Sequence, residues 1–214
     1  MIKRNKNSVH QFYEAALKSK LSNKENLTGK ISKDFKQLIT NVKTNSGSKA
    51  IDLGYGYGNY SLALAKCGFQ VISIDFISPT FFEKRVKRNK LSKKITVLEV
   101  DLSSFEPGED YDFVISKNVL HFISKNKVER LLKTLVSKTK KKGYHYFVIF
   151  TDIIRKSKTG EEIKIEGEAE LKSKTFLKFL EQLYSNWKLS IEVSDYSEGN
   201  YFIAKQITIV AINA

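Results

Sequence analysis

The chain has 214 residues, 41% of them hydrophobic and 12% aromatic, and a formal net charge of +14. That length allows one domain with a sizeable core and excludes two of ordinary size, while the composition excludes a disordered chain. The charged start has no apolar segment behind it, the longest apolar run (residues 144–150) is far below the ~20 residues of a membrane span, and the single cysteine, Cys67, has no internal disulfide partner.

A cytoplasmic chain without a membrane partner is therefore expected. Only five of the 37 basic residues are arginine, and the lysines are scattered rather than gathered in a stripe. The charge, including its densest clusters at 84–90 and 138–142, reads as solvated surface, with nucleic acid as the weaker reading.

Val9, Phe12, Tyr13, Ala16 and Leu17 recur at helical spacing over 9–20, and Ile31, Phe35, Leu38, Ile39 and Val42 do so in a second segment, predicting two N-terminal helices. The apolar run 50–53 reads as the end of a buried strand, after which Gly54, Gly56 and Gly58 stop strand and helix alike. Apolar spacing returns from Asn59 to about Cys67, with Gly68 placed as a helix C-cap. The unit is strand, glycine loop, helix, and three glycines in five residues point to a ligand rather than a plain turn. Strand two follows at 71–75, a helix from Ser78 and Pro79 to about Asn89, strand three at 95–100 and strand four at 111–116. Helical stretches at 119–122 and 128–136 precede strand five at 144–151.

Strands separated by helices predict right-handed parallel crossovers and a doubly wound α/β sheet. The charged stretch 155–172, with Gly160 and Gly167, reads as a loop or hairpin over one end of the sheet. A helix at 173–185 leads to two antiparallel strands, 187–193 and 201–212, joined by the turn-rich segment 194–200. One domain over 1–214 is expected: a helical cap at 1–44, a cofactor-binding half at 45–152, and a substrate loop with a C-terminal hairpin at 153–214.

A dinucleotide loop of the form Gly-x-Gly-x-x-Gly needs glycine at position 59, where Asn59 stands. Asp52, two residues before the first glycine, would repel a pyrophosphate and attract a cation. S-adenosylmethionine carries an ammonium and a sulfonium and no phosphate, so electrostatics favours it.

Ile-Asp-Leu-Gly-Tyr-Gly-Tyr-Gly, followed by Val-Ile-Ser-Ile-Asp, resembles the first two motifs of class I S-adenosylmethionine-dependent methyltransferases. Residues 59–71 and 111–123, with Lys142, Gly143 and Tyr144, are similar to the tellurite-resistance (TehB-like) small-molecule group. The resemblance implies a seven-stranded Rossmann-like sheet in the order 3-2-1-4-5-7-6 with an antiparallel final strand. It implies that Asp52, the backbone of Gly54, Tyr55, Gly56 and Gly58, and Asn59 hold the methionine end. Asp75, with Phe76 beside it, would accept from the ribose hydroxyls. Asp101 would accept from the adenine amino group, with Leu102 against the ring, and Ser116 and Lys117 would face the reacting centre. Tyr55 stands where the family more often has Cys or Ala, a change expected to be tolerated if the ring points outward. The last hairpin departs from the group's pattern, so the acceptor is not implied.

His121, just after strand four, and Tyr13, on the first helix, are the catalytic candidates. Helix-face packing is the competing reading of His121, and core packing that of Tyr13. His10, His145 and Cys67 show no ligand spacing, so no metal is expected, and no Gly-x-Ser-x-Gly elbow is present. Methyl transfer to a small molecule is the main reading. An RNA or protein methyltransferase, and a cofactor-binding protein without turnover, are the alternatives.

Overall fold

Apolar runs alternating with amphipathic segments require a sheet covered on both faces, and the computed structural model, which describes residues 1–5, 10–11, 30–108 and 110–214, has that form. In chain order the elements are β1 (Ile2–Arg4), α1 (Lys33–Thr40), β2 (Lys49–Leu53), α2 (Asn59–Lys66), β3 (Gln70–Asp75), α3 (Thr80–Arg88), β4 (Ile95–Glu99) and β5 (Tyr111–Lys117). A 3-10 turn (Leu120–Phe122), α4 (Lys125–Ser137), β6 (Thr139–Arg155), β7 (Ile163–Ile165), α5 (Ser173–Leu183), β8 (Trp187–Glu198) and β9 (Phe202–Asn213) follow.

Among the described residues the main sheet has the order β4-β3-β2-β5-β6-β9-β8. The pairs from β4 to β6 are parallel, and β9 runs antiparallel to both β6 and β8. Numbered within this sheet alone, that is the order 3-2-1-4-5-7-6 implied by the resemblance. The chain leaves β2 toward β3 on one side and returns to β5 on the other, which opens a crevice at the carboxyl ends of β2 and β5.

Successive strand residues face opposite sides, and β2 displays this. Ala50 joins the core of α1, α2 and α3 through Phe35, Leu64 and Phe82, whereas Ile51 joins that of α4 and α5 through Leu131, Leu132 and Phe176. Each such side chain contributes about 1.5–3 kcal/mol on burial. At the end of α2, Gly68 adopts φ +112°, which lets its N–H reach Ala65 O and the Phe69 N–H reach Leu64 O, both at 3.2 Å. These are the paired bonds of a Schellman cap, as the glycine's position predicts.

Several elements run longer than their sequence pattern. β6 begins at Thr139, inside the lysine cluster, because Thr139 pairs with Tyr111 before a register shift lets Phe113 meet Tyr144. The segment 194–200 is not mainly a turn. β8 extends to Glu198 and pairs Asp195 with Lys205 and Tyr196 with Ala204, leaving only residues 199–201 between the strands. Polar residues read as a turn there, but a two-stranded ribbon with an exposed face accommodates them equally well. The stretch 155–172 takes the hairpin alternative at its start, where Lys156 and Glu162 form an antiparallel bridge. Its β7 pairs in parallel with β1, an element without a sequence signal, and its Ala169 N–H donates to His121 O at 3.0 Å. Of the two N-terminal helices, α1 matches the second. The first lies mostly outside the described residues, as does Tyr13. No helix among the described residues is long and apolar enough to cross a membrane.

His145 is a satisfied core group. Its Nε2 lies 2.7 Å from Thr139 Oγ1 and its Nδ1 2.7 Å from Tyr184 Oη. Because the Thr139 hydroxyl donates to Leu135 O, the imidazole must donate from Nε2 and accept at Nδ1. Complete burial pushes its pKa down to about 3, so it stays neutral. His145→Leu is expected to cost about 1–3 kcal/mol by leaving the Tyr184 hydroxyl without its acceptor, read as a lower urea midpoint.

Candidate cofactor and active site

The glycine loop leaves β2 and turns its N–H groups inward. Gly54 and Tyr55 both donate to Ile74 O at 2.7 and 3.2 Å, Gly58 donates to Tyr55 O at 2.6 Å, and Gly56 donates to Asp75 Oδ2 at 2.8 Å. A phosphate would need those four donors, and here the loop's own fold consumes them. Gly54 has no room for a side chain, since a Cβ there would strike Val119. At Gly56, with φ +49°, a Cβ would meet no atom of the described residues within 4 Å, so among these residues the loop faces open space at that position.

Two carboxylates lie under the loop. Asp52, 3% exposed, accepts from Ser61 Oγ at 2.5 Å, and Ser61 in turn accepts from Ser73 Oγ at 2.8 Å. Burial, joined by the charge of Asp75, pushes its pKa up to about 7 against the pull of Ser61. Asp75, 7% exposed, accepts from the N–H groups of Gly56 and Phe76, both at 2.8 Å, yet burial still pushes it up to about 6. Buried carboxylates raised in this way lower their energy by facing a cation. Asp101 follows at the end of β4. The Val100 N–H donates to Asp75 O at 2.8 Å, and Asp101 Oδ1 accepts from Ser103 N at 2.8 Å.

Tyr55 does not point outward, so it is accommodated in another way. It is 5% exposed, stacks on Phe82 at 4.8 Å and directs its hydroxyl to Ile77 O at 3.4 Å. The ring is needed inside because Gly58, lacking a side chain, leaves space that Phe82 and Tyr55 fill together. Arg85 also departs from the solvated reading of residues 84–90. Its guanidinium donates to Tyr57 O and, at 3.0 Å, to Asn59 Oδ1, clamping α3 to the loop.

Past the crevice, Ser116 Oγ donates to Leu53 O at 2.8 Å and joins β5 to β2. Lys117 Nζ donates to Tyr60 Oη at 2.9 Å. From Tyr60 polar contacts continue through Ser32 to Tyr146, whose hydroxyl donates to Asp34 Oδ2 at 2.6 Å. His121 is 2% exposed, with its ring 4.2 Å from Phe122 and 5.2 Å from Phe150. Burial and then the charge of Arg155 push its pKa down to about 3. Arg155 itself is held by both carboxylate oxygens of Glu168, at 2.5 and 2.6 Å. Burial raises the Glu168 carboxyl, offsetting the downward pull of Arg155.

Residues 16–157 match the family described as tellurite resistance protein TehB. The chain belongs to the TehB family. It is 29% identical over 111 residues to the probable S-adenosyl-L-methionine-dependent methyltransferase TehB of Haemophilus influenzae (strain 10810), an alignment covering 52% of this chain and 39% of that protein. The chain thus matches about two fifths of that relative's length. The crystal structure of TehB from Haemophilus influenzae superposes with a TM-score of 0.64 at 22% identity, covering 94% of this chain and 67% of that one. A 1,6-didemethyltoxoflavin-N1-methyltransferase from Burkholderia thailandensis, solved with bound 1,6-didemethyltoxoflavin and S-adenosylhomocysteine, gives 0.66 at 10% identity, covering 97% and 86%. The fold of this TehB-family chain is that of the Rossmann-like methyltransferases.

In the TehB-family chain, Asp52, Gly54, Gly56, Gly58, Asn59, Asp75 and Ser116 gather around the crevice, with Asp101 beside Asp75. Leu102 is buried in the α4 and α5 core. The ring of Phe76 lies 4.8 Å from His10. Tyr60, Arg85, Arg155 and Glu168 carry no sequence signal that singles them out as site residues. A signal was readable at Asn118 alone, an asparagine directly after a strand being suited to the left-handed backbone it adopts.

Proposed function

We propose that this chain binds S-adenosylmethionine and transfers its methyl group to a small-molecule acceptor, releasing S-adenosylhomocysteine. The observation that carries this reading is a loop whose N–H groups are spent inward above two buried carboxylates, an arrangement suited to a cationic ligand without phosphate. Membership of the TehB family supports the same reading. The bound cofactor supplies an already activated methyl group, so the protein need only align it and exclude water.

Within the chain, residues 45–152 hold the cofactor while 1–44 and 153–214 shape the acceptor side. Asp52 and the backbone of Gly54, Tyr55, Gly56 and Gly58 hold the methionine end, and Asn59, fixed by Arg85, closes the loop. Asp75 spends three of its roughly four lone-pair sites on the backbone N–H groups of Gly56, Phe76 and Ile77 and keeps the remaining one for the ribose hydroxyls. Asp101, Leu102 and Phe76 border the adenine. Ser116 and Lys117 flank the reacting centre, and His121 faces the acceptor.

Calorimetry against S-adenosylmethionine and NAD tests the reading, and preference for NAD overturns it. Affinity is also expected to depend on pH. Both carboxylates have folded values above the usual range, so the ionised forms that attract a cation are lost as pH falls through about 7 and then about 6. His121 stays neutral down to about 3 and adds nothing in that window. Titrations at about pH 8 and about pH 5 should differ by at least tenfold, with weaker binding in acid.

A further inference from the structure

Two buried side-chain atoms without a hydrogen-bond partner among the described residues stand close together in the chain, just past the end of β5: Asn118 Oδ1 and His121 Nδ1. Leaving a buried polar atom unpaired costs about 1–3 kcal/mol, so two within four residues ask for a reason. Asn118 holds φ +58° while its N–H donates to Val148 O at 2.8 Å. Val119, between the two, packs against Gly54. Both atoms therefore sit on the segment that closes against the cofactor loop, on the side of β6.

Their chemistry is restrictive. An amide oxygen only accepts, and a buried neutral imidazole nitrogen has no charge to offer an anion. Arg155, whose charge reaches His121, is matched by Glu168, and the pair is only 14% and 10% exposed. An oxyanion placed here would meet an accepting oxygen and a guanidinium already held by a carboxylate. The rings of Phe122 and Phe150 against His121 supply a flat apolar wall.

We propose that Asn118 and His121 form the recognition pair for the methyl acceptor, and that the acceptor is an uncharged aromatic compound presenting an O–H or N–H donor rather than an oxyanion. This rests on the methyltransferase reading above. Asn118 and His121 position the acceptor by taking its hydrogen bonds.

The test uses the full chain loaded with S-adenosylhomocysteine and three probes, phenol, anisole and tellurite, titrated by NMR. Phenol should bind at least about tenfold more tightly than anisole, which lacks the donor, and tellurite should not displace it. Asn118→Gly keeps the left-handed backbone and removes the amide, so it should weaken phenol about tenfold while leaving S-adenosylhomocysteine affinity unchanged. Asn118→Asp keeps an accepting oxygen and should retain phenol. The proposal is overturned by equal binding of anisole and phenol, by tellurite displacing phenol, or by Asn118→Gly leaving phenol unaffected. It is overturned equally if Asn118→Asp behaves as Asn118→Gly. If S-adenosylhomocysteine itself does not bind, the methyltransferase reading fails, and phenol titrated into the unloaded chain still reads the pair.

Discussion

Replacing Asp75 by alanine is expected to weaken S-adenosylmethionine binding by about 100-fold or more, because one carboxylate has two tasks. It holds the Gly56 and Phe76 N–H groups, and in the proposed complex it also accepts from the ribose. Hydrogen bonds to a charged group are worth about 1.5–3 kcal/mol each, so losing two or more exceeds the roughly 2.7 kcal/mol that 100-fold requires. Asp112→Ala is the control. That residue accepts from the Lys49 N–H at 2.7 Å and pairs with Lys140 at 2.9 Å, at the amino end of β2 and β5, so cofactor affinity should not change. A dissociation constant for Asp75→Ala within about threefold of the parent, in a folded protein, would remove Asp75 from the site.

The second large effect separates two glycines two residues apart. Gly58→Ala puts a Cβ into the Phe82 ring at φ +74°, so it must displace the Tyr55–Phe82 stack or unwind the start of α2. A loss of about 2–4 kcal/mol in stability is expected, from overpacking together with backbone strain. Gly56→Ala meets no atom of the described residues within 4 Å and should cost only about 1 kcal/mol, from its φ of +49°. Its methyl group, however, enters the space offered to the ligand, so affinity should fall at least about tenfold with little change in Tm. Thermal melts and calorimetry on both variants check this. Equal effects on Tm would mean that Gly56 does not border the site.

Much of the architecture was legible because it is written in local periodicity. The apolar runs ending at Leu53 and Asp75, the helical spacing from Asn59 and the cap at Gly68 each involve neighbours within a few residues. Strand ends that rely on a partner were not legible. Thr139 belongs to β6 only because Tyr111 lies opposite, and Asp195 belongs to β8 only because Lys205 does. The direction of the Tyr55 ring was not legible for a related reason, since only the position of Phe82 determines which side has room.

The sequence by itself determined the alternation of strands and helices, a glycine loop that no plain turn requires, and acids at three strand ends, because residue type and spacing impose these on the backbone directly. Only the tertiary structure decided what those groups touch. Tyr146 reaches Asp34 across 112 residues of chain, and Arg85 reaches Asn59 across 26. Burial that raises Asp52 and neutralises His121 arises from packing by distant elements. So does the pairing of Arg155 with Glu168, beside which Asn118 Oδ1 and His121 Nδ1 stay buried without a hydrogen-bond partner among the described residues. Such contacts depend on how two sheet faces and a C-terminal ribbon come together, and no short stretch of sequence encodes that.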